Sequence, residues 1–176
     1  EPEPEPVAYA LSLGSVCYTS QFLAQRQLRP FAGPFDWLFS TPPMITHCLR
    51  TDFAAFLDPA LYQPVGGGGP NPAQLVEQAG HALYSEMIGQ RTVFNHHNPL
   101  MPRDYEHFSR AVARLRAALA SPQPKLLLLV SKAALEPAEL RELFGVLCGL
   151  SSHFELLAVR LRRADAREQE DGLEEE

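Results

Sequence analysis

The stretch Tyr9–Leu23, YALSLGSVCYTSQFL, decides the fold class, because it changes character twice. Val7 to Leu13 is short and apolar and ends at Gly14, which predicts a buried strand. Val16 to about Leu28 predicts a helix, so Gly14 and Ser15 form the turn between them and Cys17 falls where the helix begins. A cysteine there has two readings. Free Cys is among the most buried residue types and is most often a small hydrophobe. At a helix N-terminus, however, the thiolate is favoured, and the same residue becomes a candidate nucleophile.

The pattern repeats along the chain. Pro43 to about Phe56 is plausible as a helix, with Ile45, Leu49, Phe53 and Phe56 or Leu57 at helical spacing. Asn71 caps a helix with Pro72 in its first turn, an inner stripe of Val76, Ala79, Leu83, Met87 and Ile88, and a stop at Gly89. Thr92–Asn95 predicts a short strand running into His96, His97, Asn98 and Pro99. Tyr105, Phe108, Val112, Leu115 and Leu119 make the cleanest helical stripe, with Arg110, Arg114 and Arg116 mostly off it. Lys125–Ser131 reads as a fully buried strand, Pro137 opens a helix with Leu140, Leu143, Phe144 and Leu147 inward, and Phe154–Leu161 is a last strand. Strands alternating with helices predict an α/β fold, a single layered domain of two or three layers, without internal repeats.

The 176 residues are enough for one domain with a proper core. The formal charge of −6 belongs to the ends: EPEPEP holds three acids and Asp165–Glu176 holds seven against one Arg, leaving 11 acids and 14 bases from Val7 to Ala164. Residues 1–6 and 165–176 therefore read as disordered acidic tails around a domain spanning 7–164, with a flexible Gly-rich loop at 64–72. No basic run with interleaved aromatics marks a nucleic-acid partner. The longest apolar run, LLLLV, falls far short of the ~20 residues of a membrane span, so no membrane partner is expected. Three dispersed cysteines without CxxC argue against a disulfide framework and a zinc cage. Reduced thiols point to a cytoplasmic setting, and no metal or other cofactor is implied. Oligomeric state is left open.

Chemistry concentrates in SLGSVC with GPFDWLFS, and in FNHHNP. A thiol nucleophile needs an imidazole to take its proton and a carboxylate or amide to orient that ring. Cys17, one of His96 and His97, and one of Asp36, Asn98 or Asp104 supply those types, with the backbone of Cys17 as an oxyanion donor. Adjacent histidines on an extended segment face opposite ways, so at most one can serve. Asp36 has an equally good alternative as a turn acid. Trp37, Phe35, Phe31 and Phe39 suit a core cluster, and Cys48 and Cys148 suit helix packing. The four glycines of QPVGGGGPNP lack the GK[ST] or GxGxxG context of a phosphate loop, and Leu23 occupies the Arg position of a CxxxxxR phosphatase loop.

SLGSVC, followed by QLRPFAGPFDWLFS and later by VFNHHN, resembles the putative papain-like cysteine peptidase family over about Leu11 to Ser131. That resemblance implies Cys17 as nucleophile, His96 or His97 as base with a slight preference for His96, and Asp36 as an orienting or site-lining residue. Asn98 is a further possible orienter, because the strand after the His pair offers no clear Asn or Asp. The implied activity is hydrolysis or acyl transfer on a peptide, amide or acyl thioester. Two alternatives stand beside it: a catalytically inactive hydrolase-like interaction module, and an esterase similar to the SGNH type built on Ser15, for which His153 is the one late histidine. The nucleophile reading expects the Cys17 sulfur within ~4 Å of a ring nitrogen of His96 or His97.

Overall fold

The computed structural model describes residues 6–15, 17–65 and 78–162. Along these the chain forms β1 (Tyr9–Ser15), α1 (Cys17–Gln25), α2 (Pro42–Arg50), a 3-10 turn (Pro59–Leu61), β2 (Tyr62–Pro64) and β3 (Ala79–His81). Then follow α3 (Tyr84–Ile88), α4 (Pro102–Ala120), β4 (Lys125–Ser131), α5 (Pro137–Leu150) and β5 (Phe154–Arg160). Strands β1, β4 and β5 form a parallel sheet in the order β1-β4-β5, with Tyr9 opposite Lys125 and Lys125 opposite Phe154. Strands β2 and β3 pair antiparallel as a separate two-stranded sheet. This is an α/β fold, a parallel sheet flanked by helices.

Alternation along the strands divides the apolar residues between two faces. Leu11, Leu13, Leu127 and Leu129 face the large core with the inner sides of α2, α4 and α5. Ala10 and Leu128 face the other way and meet Leu23 of α1. The large core centres on Phe56, whose ring lies 5.6 Å from those of Phe94 and Phe108 and 5.7 Å from that of Phe53. Helix α4 follows its sequence pattern, with Pro102 in the first turn and Phe108, Val112, Leu115 and Leu119 buried.

Several local expectations are corrected. The helix beginning at Pro42 stops at Arg50, and Asp52 and Phe53 take positive φ (46° and 59°), so Phe53 and Phe56 enter the core from a turn. Of the stripe assigned to one helix ending at Ile88, Ala79 instead belongs to β3, where it pairs with Pro64 and bridges Phe94, and among the described residues of that stretch only Tyr84–Ile88 is helical. Period-3.6 spacing misled there because Ala79 and His81 are buried from two sides. Thr92–Asn95 makes single bridges through Phe94 to Leu38 and Ala79 and does not form a full strand. Phe35 is core, but Phe31, Trp37 and Phe39 are only partly buried, and Phe144 is 47% exposed. Cys48 packs in the core; Cys148 is exposed. The expectations for both tails, for the glycines and for the Asn71 cap fall outside the described residues.

Candidate functional site

The turn that carries Cys17 is tied down from three directions. Pairing of β1 with β4 shifts register between Ser12 and Ser15, which frees Leu13 and Gly14 from the ladder. Gly14 sits at φ +89°, and a Cβ there would overlap Ser40 Oγ, so glycine is required by both conformation and space. Gly14 N donates to Ser12 Oγ (3.1 Å), Thr19 Oγ1 of α1 donates to Gly14 O (3.1 Å), and Ser40 Oγ donates to Leu13 O (3.2 Å). Cys17 opens α1 at the C-terminal end of β1 and is partly exposed. Functional groups of open parallel sheets gather at this end of the strands. Cys48 is the contrast: it is buried beside Tyr84, and burial pushes its thiol up to about 12.

Asp36 is 1% exposed and accepts hydrogen bonds from Gly33 N (2.9 Å) and Arg29 Nη1 (3.3 Å), and Arg29 Nη1 also donates to Ser20 Oγ of α1 (2.6 Å). Burial pushes the Asp36 carboxyl above its ordinary value, opposed by the Gly33 amide and by Arg29. None of these bonds goes to a histidine. Asp36 instead fastens the proline-punctuated loop to the back of α1. Its neighbour Trp37 stands edge-on to His96 (ring centroids 5.4 Å), with the Arg29 guanidinium 5.9 Å from the indole.

The two adjacent histidines have separate partners. His96 faces Trp37, with Nε2 3.3 Å from Asn95 Nδ2. His97 Nδ1 lies 3.3 Å from Asp104 Oδ1, and its ring stacks on His107 at 4.3 Å. Asp104, in the first turn of α4, also accepts from Asn98 N through its other oxygen (2.8 Å). The Asn98 side chain accepts from Leu100 N (3.0 Å). The carboxylate that meets an imidazole is therefore Asp104, and the ring it meets is that of His97. The sequence signal for this was available: an acid in the first turn after Pro102 has its oxygens aimed back at the segment that leads into the helix. His107 gave no such signal. Its Nε2 is buried without a partner among the described residues, and burial, then the nearby His97 and Arg114, lower its pKa.

The sulfur of Cys17 makes no hydrogen bond to either imidazole among the described residues. The sequence profile of the family described as putative papain-like cysteine peptidase matches residues 8–155. The chain belongs to this family. No curated protein and no solved structure gives a significant match. Membership supports a cysteine-hydrolase type of function and covers β1, the Cys17 turn, Asp36 and the histidine pair in one span.

The serine-esterase alternative fails on topology. His153 precedes β5, where its carbonyl accepts from Lys125 N and its ring meets Pro122 O (2.9 Å). Ser15 ends β1 at the opposite edge of the parallel strands, about 20 Å away at ~3.3 Å per residue. Among the described residues no group of three or more His, Cys, Asp and Glu is placed to hold a metal, and no helix is long and apolar enough to cross a membrane.

Proposed function

We propose that this protein is a cysteine-dependent acyl-transfer enzyme or hydrolase in which Cys17 is the nucleophile and His97, oriented by Asp104, is the base. The observation that carries the reading is the contrast between thiols. Cys17 is a partly exposed residue at a helix start, on a turn braced by Ser12, Thr19 and Ser40, whereas Cys48 is sealed in the core. In the reaction the thiolate sulfur attacks the carbonyl carbon of an amide or thioester, and the backbone N–H of Cys17 is the donor for the developing oxyanion. The tetrahedral centre collapses to a thioester on Cys17, and the amine or thiol leaves with the proton that the imidazole had taken. Water or an amine then releases the acyl group. Hydrogen bonds of this kind are often long before substrate arrives, so an open Cys17–imidazole geometry is compatible with the mechanism.

A second reading, a catalytically inactive interaction module, is favoured by that same missing hydrogen bond. Mapped alkylation separates the two. Iodoacetamide at mildly acidic pH should modify Cys17 well ahead of Cys148, and His97→Ala should slow modification of Cys17 alone. His96→Ala tests the other ring. Equal labelling of Cys17 and Cys148, unchanged by either histidine substitution, would overturn the nucleophile reading and leave the interaction module standing.

A further inference from the structure

Among the described residues, the sheet face on the α1 side is only half covered. Between α1 and strands β4 and β5 runs an apolar groove of about 420 Å³, walled by Tyr18, Phe22, Leu128, Val130, Leu157 and Val159. Tyr18, Phe22 and Leu157 are each about half exposed (53%, 49% and 49%). That volume and lining are those of small-ligand sites, which are mostly apolar with a few polar groups that fix orientation. The polar groups stand at one end. Lys132, Arg160 and Arg162 line an adjoining cavity that shares Leu161 with the groove, and Lys132 Nζ lies 4.9 Å from the centre of the Tyr18 ring. None of the three cations is in an ion pair among the described residues. Because β1, β4 and β5 run parallel, this basic end is the sheet end at which α1 begins with Cys17.

We infer that the groove binds a single-chain anionic amphiphile of the fatty-acyl class, its tail along α1, β4 and β5 and its head at Lys132, Arg160 and Arg162. That the bound chain is an acyl substrate rests on the reading of Cys17 given above; the binding itself does not. Charge selects this occupant. A chain with an anionic head satisfies both the apolar walls and the basic rim, which a neutral or cationic apolar ligand does not. The chain's own acidic residues 165–176 match the rim in charge but contain one large apolar residue, Leu173, and cannot fill the walls.

The test is calorimetric titration of the full chain with laurate below its micellar concentration. Saturable 1:1 binding is expected, at least tenfold weaker in Leu157→Glu and in Lys132→Glu/Arg160→Glu, and unchanged in Cys17→Ser. Lys132, Leu157 and Arg160 are exposed and Cys17 is partly exposed, and circular dichroism checks that the variants fold. Dodecyltrimethylammonium, with the same tail and the opposite head, should bind at least tenfold more weakly. No saturable laurate binding, or equal binding of both amphiphiles, overturns the inference. So does sedimentation with anionic phospholipid vesicles in place of laurate uptake, which would make this face a membrane-contact surface. Head-selective laurate binding with Cys17 unreactive toward a lauroyl thioester upholds the groove and fails only the reading of Cys17.

Discussion

Replacing Gly14 by alanine tests whether the turn before Cys17 is as tightly specified as its contacts indicate. Two costs follow. The φ of +89° places an L-residue outside the right-handed regions, at about 1–2 kcal/mol. The new methyl overlaps Ser40 Oγ, so that hydroxyl must rotate away and its bond to Leu13 O is lost, at about 1 kcal/mol. Gly14→Ala should therefore destabilise by about 2–3 kcal/mol, which for a chain of this size lowers Tm by roughly 4–12 °C. Ser40→Ala alone loses only the hydrogen bond, about 1 kcal/mol. In the double variant the overlap is gone, since the Ser40 Cβ lies 3.4 Å from the added methyl, and the hydrogen bond is already absent. Its cost should approach that of Gly14→Ala alone, a coupling of about 1 kcal/mol between the sites. Urea unfolding followed by circular dichroism measures all four corners of the cycle. Additive costs would refute the overlap, and a Gly14→Ala variant as stable as the parent would refute both parts.

Three further outcomes are expected. Arg29→Met leaves Asp36 buried without its cation and should cost about 2–3 kcal/mol at pH 7, below the range for fully buried pairs because the Arg29 side chain is 24% exposed. Asp36 is held above the usual carboxylate range, so the penalty should shrink as pH falls and the carboxyl becomes neutral; a penalty that grows toward acid contradicts this. Cys48 should resist alkylation in the native protein and react only in denaturant, as peptide mass mapping would show. His81 is neutral in the fold: its Nδ1 accepts from Leu83 N and Tyr84 N, its Nε2 meets Ala55 O, and burial lowers its pKa. The unfolded chain then binds more protons below ~6.5, so stability should be full above that pH and fall beneath it. A Tm that stays flat from pH 7.5 to 5 would count against a neutral His81.

What could be read from the sequence was what depends on local chemistry. The β1 turn and α1 are spelled out by an apolar run, a glycine and a helical pattern in succession, and β4 and α4 by their own periodicity. The segments that failed are those shaped from a distance. Ala79 is extended because Pro64 and Phe94 approach it from either side, and His81 because it pairs with Tyr62, and no spacing within 76–88 records that. Phe53 has helical spacing but lies beyond a helix that stops at Arg50. At the site, residue types singled out Cys17 and the histidine pair as candidates, but did not say which acid meets which ring. Asp36 was drawn off by Arg29 and Gly33, and Asp104 took His97, because loop geometry distributes the partners.

The parallel pairing of β1 with β4 has a consequence for biosynthesis. The strand that delivers Cys17 is made more than a hundred residues ahead of its hydrogen-bonding neighbour, since Tyr9 pairs with Lys125. Such distant closure is slow, and the early segment must wait with its ladder groups unpaired. Helices α2 and α4 can gather their aromatic core around Phe56 in the meantime. A nascent or truncated chain that stops short of Lys125 thus holds the cysteine without the scaffold that aims it, and any reactivity of Cys17 switches on only when synthesis has passed Ser131.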